Sequence, residues 1–565
     1  MRLSLLSAVA PMILLGACAS LPPASSQQQA ADLPVGVSPY GMFLAGEAAL
    51  NDGRNSDAAR FFDLARAPSA NDGLVTERAF TAALLSGDVT RAATLAPAGD
   101  DATESGKRLG KLVVAVETLA QGKDKQARAL LANDAIAFPH KPAAALLEPW
   151  AAAGAGDVEG SLVRPQVRGD RVVEYFGQLG QAYLFERAGR FDEAETDFKA
   201  VAGGSPSEMS ILAYGGFLER RGRRADAASL YRTLLAQDPD NATLAAARDR
   251  AQGGKPAPAA PSVREGAAQA MLAPSATMIA AKQGQIALAY LRLVLRLDPQ
   301  RDEAWVMVGD LMQANHDTEA ARLAYSQPKP GSTEFSAAQA KLAWTYQAAD
   351  DKEMALRLAR VAAATGDVDA RITLSDLLRV NEQWAESAEI LTGVISQSKT
   401  PDWRLLYSRG VNYQAVGRWP DAEADMQAAL KSHPDEPELL NFLGYSWIDR
   451  GERLPEAMAM VQKAVAANPR SGAMVDSLGW AYYRMGDFKT AVEKLEQAVE
   501  LEAGDPEISD HLGDAYWRVG RRDEALFQWR RVLTLKPEDK IRDRAAAKIA
   551  SGLGPDGVAP KVAGK

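Results

Sequence analysis

One cysteine, Cys18, occurs in 565 residues, so no disulfide can form within the chain and packing alone must hold the fold. Histidine is nearly as scarce. His140, His316, His433 and His511 are scattered, without the spacing that metal ligation needs. There is no Gly-x-Ser-x-Gly elbow and no glycine loop ending in Lys-Ser/Thr. Gly154, Gly156 and Gly160 follow no strand and are wrongly spaced for a phosphate loop, so they read as a loose turn. The residues point to no enzyme, no metal and no cofactor. No apolar stretch of about eighteen residues occurs to span a bilayer. No basic block stands out and the net charge is −9, which excludes nucleic acid as a partner. Strand-like alternation is rare.

What the chain has is a beat. Ala422, Ala457, Ala491 and Ala525 fall at steps of 35, 34 and 34, and Gly410, Gly444, Gly479 and Gly513 keep time at 34, 35 and 34. Such a period predicts stacked helical hairpins. In Gly472–Asp505, Leu478, Gly479 and Tyr482 mark a first helix, and Ala491, Leu495 and Ala498 form the apolar stripe of a second. Between them Met485-Gly486-Asp487-Phe488 closes one helix and opens the next. The next unit repeats the plan with Leu512-Gly513, Tyr516, Gly520, Ala525, Trp529, Val532 and Pro537; Pro434 and Pro469 hold the matching stop position. Fainter units run back through Ala388, Ala355, Trp305–Ala321, Ala194–Pro239 and Gly46–Ala65, with Pro142–Pro165 too degenerate to divide. The run Gly253–Pro261 is too rich in glycine and proline for a helix and reads as an exposed linker or long loop.

These residues resemble the tetratricopeptide repeat, whose Trp, Leu-Gly, Tyr, Ala, Phe and Pro recur over 34 residues. The resemblance implies an all-α fold, a right-handed superhelical α-solenoid of about a dozen hairpins. The expected plan is a signal peptide (1–17), a tether (18–38), a degenerate amino-terminal array (39–251), a linker (252–262), a carboxy-terminal array (263–537), a capping helix (538–552) and a tail (553–565). In the capping helix Lys540, Arg542, Asp543, Arg544 and Lys548 are expected to face water, where no neighbour stacks.

At the amino end, Arg2, the apolar run Leu3–Leu15 and Gly16-Ala17-Cys18 have the layout of a secretory signal. Leu15-Gly16-Ala17-Cys18 resembles the bacterial lipobox, which implies acylation of Cys18 and, with Ala19 following it, sorting to the outer membrane. Ala17-Cys18-Ala19 also fits an ordinary small-x-small cleavage site that releases a soluble protein, and Cys18 can equally be an idle residue of the discarded peptide. The polar segment Ser20–Ala30 has nothing to bury. As a tether of about 20 residues it reaches roughly 25 Å.

In tetratricopeptide proteins the first helix of each hairpin lines a concave groove. Carried onto this chain, that implies a protein-binding groove of Asn441, Tyr445, Asp476, Trp480, Tyr483, Arg484, Asp510, Asp514, Trp517 and Arg518. Aromatics with arginine suit an interface; the other reading has Trp480 and Trp517 stiffening the stack against the neighbouring hairpin. Asp476 and Asp510 stand where a peptide-carboxylate clamp needs cations, so a basic or apolar peptide, or a partner's helix, is the better match. The whole plan is similar to outer-membrane repeat lipoproteins that act as adaptors for a periplasmic carboxy-terminal processing protease and deliver peptidoglycan hydrolases to it. The resemblance is most specific at Leu443-Gly444-Tyr445 and Asp476–Arg484, and His511–Trp517 adds to it. It implies a non-enzymatic scaffold; the alternative is a structural component of an envelope assembly or of a polysaccharide or lipopolysaccharide export machine.

Overall fold

The packing of small residues against large ones explains why this chain folds as paired helices. Gly513 on one helix faces Trp529 on the next, and a Cβ at Gly513 would lie 2.4 Å from the indole Nε1. Gly46 faces Phe62, Gly215 faces Tyr231 and Gly309 faces Tyr325 in the same manner, at the same interval of 16 residues. The missing side chain lets the second helix lay an aromatic ring flat on the first. Gly513→Ala is expected to destabilise the protein by about 1–3 kcal/mol through overpacking, although helix propensity alone predicts a gain of about 1 kcal/mol. Thermal unfolding of the variant reads the sign directly.

The computed structural model describes residues 38–66, 72–132, 135–204, 206–239, 241–398 and 401–554. The signal segment, Cys18, the tether and the tail from residue 555 lie outside the described residues. The described chain forms 30 helices and no strand, with 75% of the protein helical. The expected all-α fold of hairpins is what the structure shows. A typical turn joins Gly472–Arg484 to Phe488–Leu501: Gly486 takes φ 85° and the Asp487 carboxylate accepts from the Thr490 amide at 3.2 Å. The unit around Ala388 lacks the usual first-helix glycine. Ser375 replaces it, its hydroxyl 2.8 Å from that of Ser387 in the buried helix contact, and Glu382 adopts the turn's left-handed backbone at φ 60°.

The chain divides into two compact units, residues 1–110 and 111–565. In the first, helices Pro39–Asn51 and Asn55–Arg66 pair around Phe62, and Met42, Ala65 and Val75 form a small core.

In the second unit the stacking order departs from the chain order. The stretch that the sequence leaves undivided holds a junction helix, Lys141–Gly154, followed by the four-residue helix Val158–Ser161. Hairpins from Arg171 to Leu235, closed by helix Ala242–Gln252, form an arm that begins on the junction helix. Residues 255–262 then run back extended along this arm, where Arg220 donates to the Pro258 carbonyl at 3.0 Å. The return helix Val263–Ala280 opens with a Ser262/Glu265 capping box and packs on the junction helix again. From there the main stack proceeds to Thr534. The segment between the two arrays is thus a return path, and the arrays meet side by side at one helix. Trp150 of the junction helix fills that meeting point, against Gly180 of the arm and Gly266 of the return helix. Arg296 pairs with buried Glu117 at 2.6 Å, and buried His140 meets the Tyr290 hydroxyl at 2.6 Å, which tie the main stack to the helices before the arm.

Candidate interaction furrow

The first helices of the last hairpins, Pro437–Arg450, Gly472–Arg484 and Pro506–Arg518, follow one another along the stack, and the terminal helix Asp539–Ser551 comes after them. Because the repeat returns the same face every 34 or 35 residues, an acid on one helix meets whatever stands one repeat later. Asp476 meets His511, with Nδ1 at 3.0 Å from the carboxylate. Asp510 meets Arg544 at 2.7 Å, and Asp514 meets Lys548 at 2.7 Å; Lys548 also reaches Asp510 at 2.8 Å.

This ladder corrects two expectations. Asp476, Asp510 and Asp514 are interior groups, and the Asp510 side chain has no exposed surface. Lys548, expected in water, is 2% exposed, and Arg544 is half-buried. The reason is electrostatic: a carboxylate leaves water when a cation of matching register goes with it. The sequence signal was present in the 34-residue step from Asp510 to Arg544 and from Asp514 to Lys548.

Trp480 and Tyr483 are also buried. The Trp480 ring stacks on Tyr483 at 4.5 Å between centroids and on His511 at 4.1 Å, both nearly parallel. Trp480 therefore stiffens the stack. Trp517 is half-buried, with Arg522 over its face at 3.8 Å and Gly552 packed against it. Tyr445, also half-buried, reaches across one helix to donate to Glu507 at 3.2 Å. Of the ten expected groove residues, Asn441, Tyr445, Arg484, Trp517 and Arg518 keep partial exposure. Arg518 donates to the Tyr483 hydroxyl at 3.3 Å and Arg484 to the Asp449 carbonyl. This end thus has a polar, aromatic rim above an interior of paired charges.

Burial of His511 works against its charge, but Asp476, by charge and hydrogen bond, together with Glu507 and Asp510, outweighs it and carries the imidazole up to about 9. Burial pushes the Asp514 carboxyl up to about 6 against the pull of Lys548. Burial, with the nearby Glu507 and Asp476 charges, also raises the Tyr445 phenol. Among the described residues no group of three or more His, Cys, Asp or Glu is placed to hold a metal ion. What the arrangement can do is make contacts: cation–carboxylate pairing inside, hydrogen bonds and aromatic packing at the rim.

The repeat families that match agree with the hairpin spacing. Residues 179–242 and 407–471 match one tetratricopeptide repeat family, and residues 479–520 match a second TPR repeat family. The chain is 27% identical over 215 residues to the TPR repeat-containing protein PA4667 of Pseudomonas aeruginosa, a match covering 38% of this chain and 36% of that protein. The chain thus spans about a third of the length of this curated relative. Among solved structures, the APC/C hetero-tetramer Cut9–Hcn1 aligns at 13% identity over 91% of this chain and 96% of that one, with a TM-score of 0.37. A tetratricopeptide repeat protein from Parabacteroides merdae aligns at 13% identity over 43% of this chain and 96% of that one, with a TM-score of 0.38. Tetratricopeptide repeat proteins act as protein-interaction scaffolds, and this chain carries tetratricopeptide repeats within residues 179–242, 407–471 and 479–520.

Proposed function

We propose that the protein is a membrane-anchored scaffold of the bacterial envelope that binds other proteins through its repeat array and performs no catalysis itself. The observation that carries this reading is the array: successive hairpins with a contact-making rim of Asn441, Tyr445, Arg484, Trp517 and Arg518. Acyl chains on Cys18 hold it to the outer membrane facing the periplasm, and its cargo is a carboxy-terminal processing protease together with the peptidoglycan hydrolases the protease degrades. Holding two partners on one chain raises their mutual concentration without new chemistry.

Affinity capture from solubilised membranes tests this. The wild-type chain is expected to retain a protease and a cell-wall hydrolase, and Arg484→Ala with Arg518→Ala is expected to lower both by about tenfold, the loss of one or two interface anchors. An identical partner set in the variant counts against the rim. Capture of a β-barrel or export complex in place of a protease supports the assembly-component reading. Palmitate labelling that survives Cys18→Ser removes the anchor from the scheme.

A further inference from the structure

The terminal helix Asp539–Ser551 is held differently from the hairpin helices it follows. Its apolar burial is slight: Ala545 is fully buried, Ile549 partly, and Leu553 just beyond joins the core of the last repeats. The helix also packs along Arg522–Thr534, and its hold on helix Pro506–Arg518 is ionic, through Arg544 to Asp510 and Lys548 to Asp510 and Asp514. Ion pairs withdrawn from water roughly break even against their hydration, so they set register more than they add docking strength. A helix with few buried apolar contacts belongs to the low end of local stability. Its displacement returns Lys548 to water along with the two aspartates.

The covered face shows what it accepts. Arg544 and Lys548 stand one helical turn apart, with Ala545 between them where the helices come close. Both cations answer acids of the same helix, Asp510 and Asp514, and the chain beyond folds over Trp517 through Gly552, at φ 70°. We propose that this face of helix Pro506–Arg518 is a docking site for a helix bearing two cations one turn apart, and that residues 539–551 are its resident occupant, exchanging with such a helix on a partner. This rests on the scaffold reading; it names the partner's chemistry and the element that regulates access. A partner whose helix carries larger apolar residues beside the cation pair displaces the alanine-rich resident.

The probe is a labelled peptide of residues 537–554, titrated into the full chain and into its Lys548→Met variant. Loosening the resident helix is expected to tighten peptide binding by about tenfold, as the competent fraction rises, and adding Asp510→Asn with Asp514→Asn to that variant is expected to remove it. Equal binding by wild type and Lys548→Met, or binding by neither, overturns the proposal. Hydrogen exchange of the unaltered chain tests it without any substitution. Amides of 539–551 are expected to exchange about tenfold faster than those of Pro506–Arg518, through a local opening, and faster again with excess peptide. Equal protection of the two helices overturns it. Partners captured in the membrane experiment without any peptide exchange sink this inference alone, and peptide exchange without captured partners sinks the scaffold reading alone.

Discussion

Truncating Trp150 to alanine is expected to destabilise the second unit by about 3–5 kcal/mol, the range for removing a buried indole and leaving a cavity. Trp150 is 3% exposed. Its ring lies where a Cβ on Gly266 would come within 2.1 Å and one on Gly180 within 3.3 Å, so the two glycines leave the space that the indole fills. Both the arm and the return helix rest on this ring. The loss should therefore appear in both, with amides of Arg171–Arg187 and Val263–Ala280 losing protection together. Urea unfolding supplies the magnitude. Trp305→Ala is the control, since Trp305 is half-exposed and its indole nitrogen donates to the Pro299 carbonyl. A Trp150→Ala penalty no larger than that control's would show that the arrays do not depend on this meeting point.

Raising the pH is expected to loosen the carboxyl end before the rest of the protein. His511 titrates at about 9 in the folded chain against an ordinary 6.5. Its folded value is the higher one, so folding takes up a proton between these limits. The stability it contributes is complete below 6.5 and is lost as pH rises through about 9. For a shift of this size the loss is roughly 3 kcal/mol. Asp514, raised to about 6 from 3.8, acts with the same sign in a lower window: its contribution is present below 3.8 and disappears as pH passes 6. Asp476→Asn removes the main charge that holds the proton on His511, and burial then favours the neutral imidazole. The stability profile of that variant should be flat between 6.5 and 9. Urea midpoints across this range, with an NMR titration of His511, decide the matter; a wild-type imidazole titrating near 6.5 would end this account.

Much of the hairpin geometry was legible because a period is a property of the whole chain. Gly479, set against Leu495, and Gly513, set against Trp529, mark close approaches between paired helices, and their 34-residue step shows in the sequence. The furrow was legible only in part. The residues assigned to it do line neighbouring first helices, yet Asp476, Trp480, Tyr483, Asp510 and Asp514 are covered by the next helix along. Exposure depends on what arrives one repeat later. For Asp510 and Asp514 that was Arg544 and Lys548 of helix Asp539–Ser551, two residues expected in water.

The sequence by itself determined the local architecture: a 34-residue step, a glycine where the paired helix comes close, and a turn closed by glycine. These are contacts between residues a few turns apart, and spacing specifies them. Only the tertiary structure decided that the arrays join at Trp150 and that the segment before Val263 doubles back along the arm. It also decided that the last acids are neutralised by the chain's own terminal helix. Those outcomes depend on packing and charge pairing between faces that periodicity makes equivalent; which equivalent faces meet is settled by the burial they achieve together.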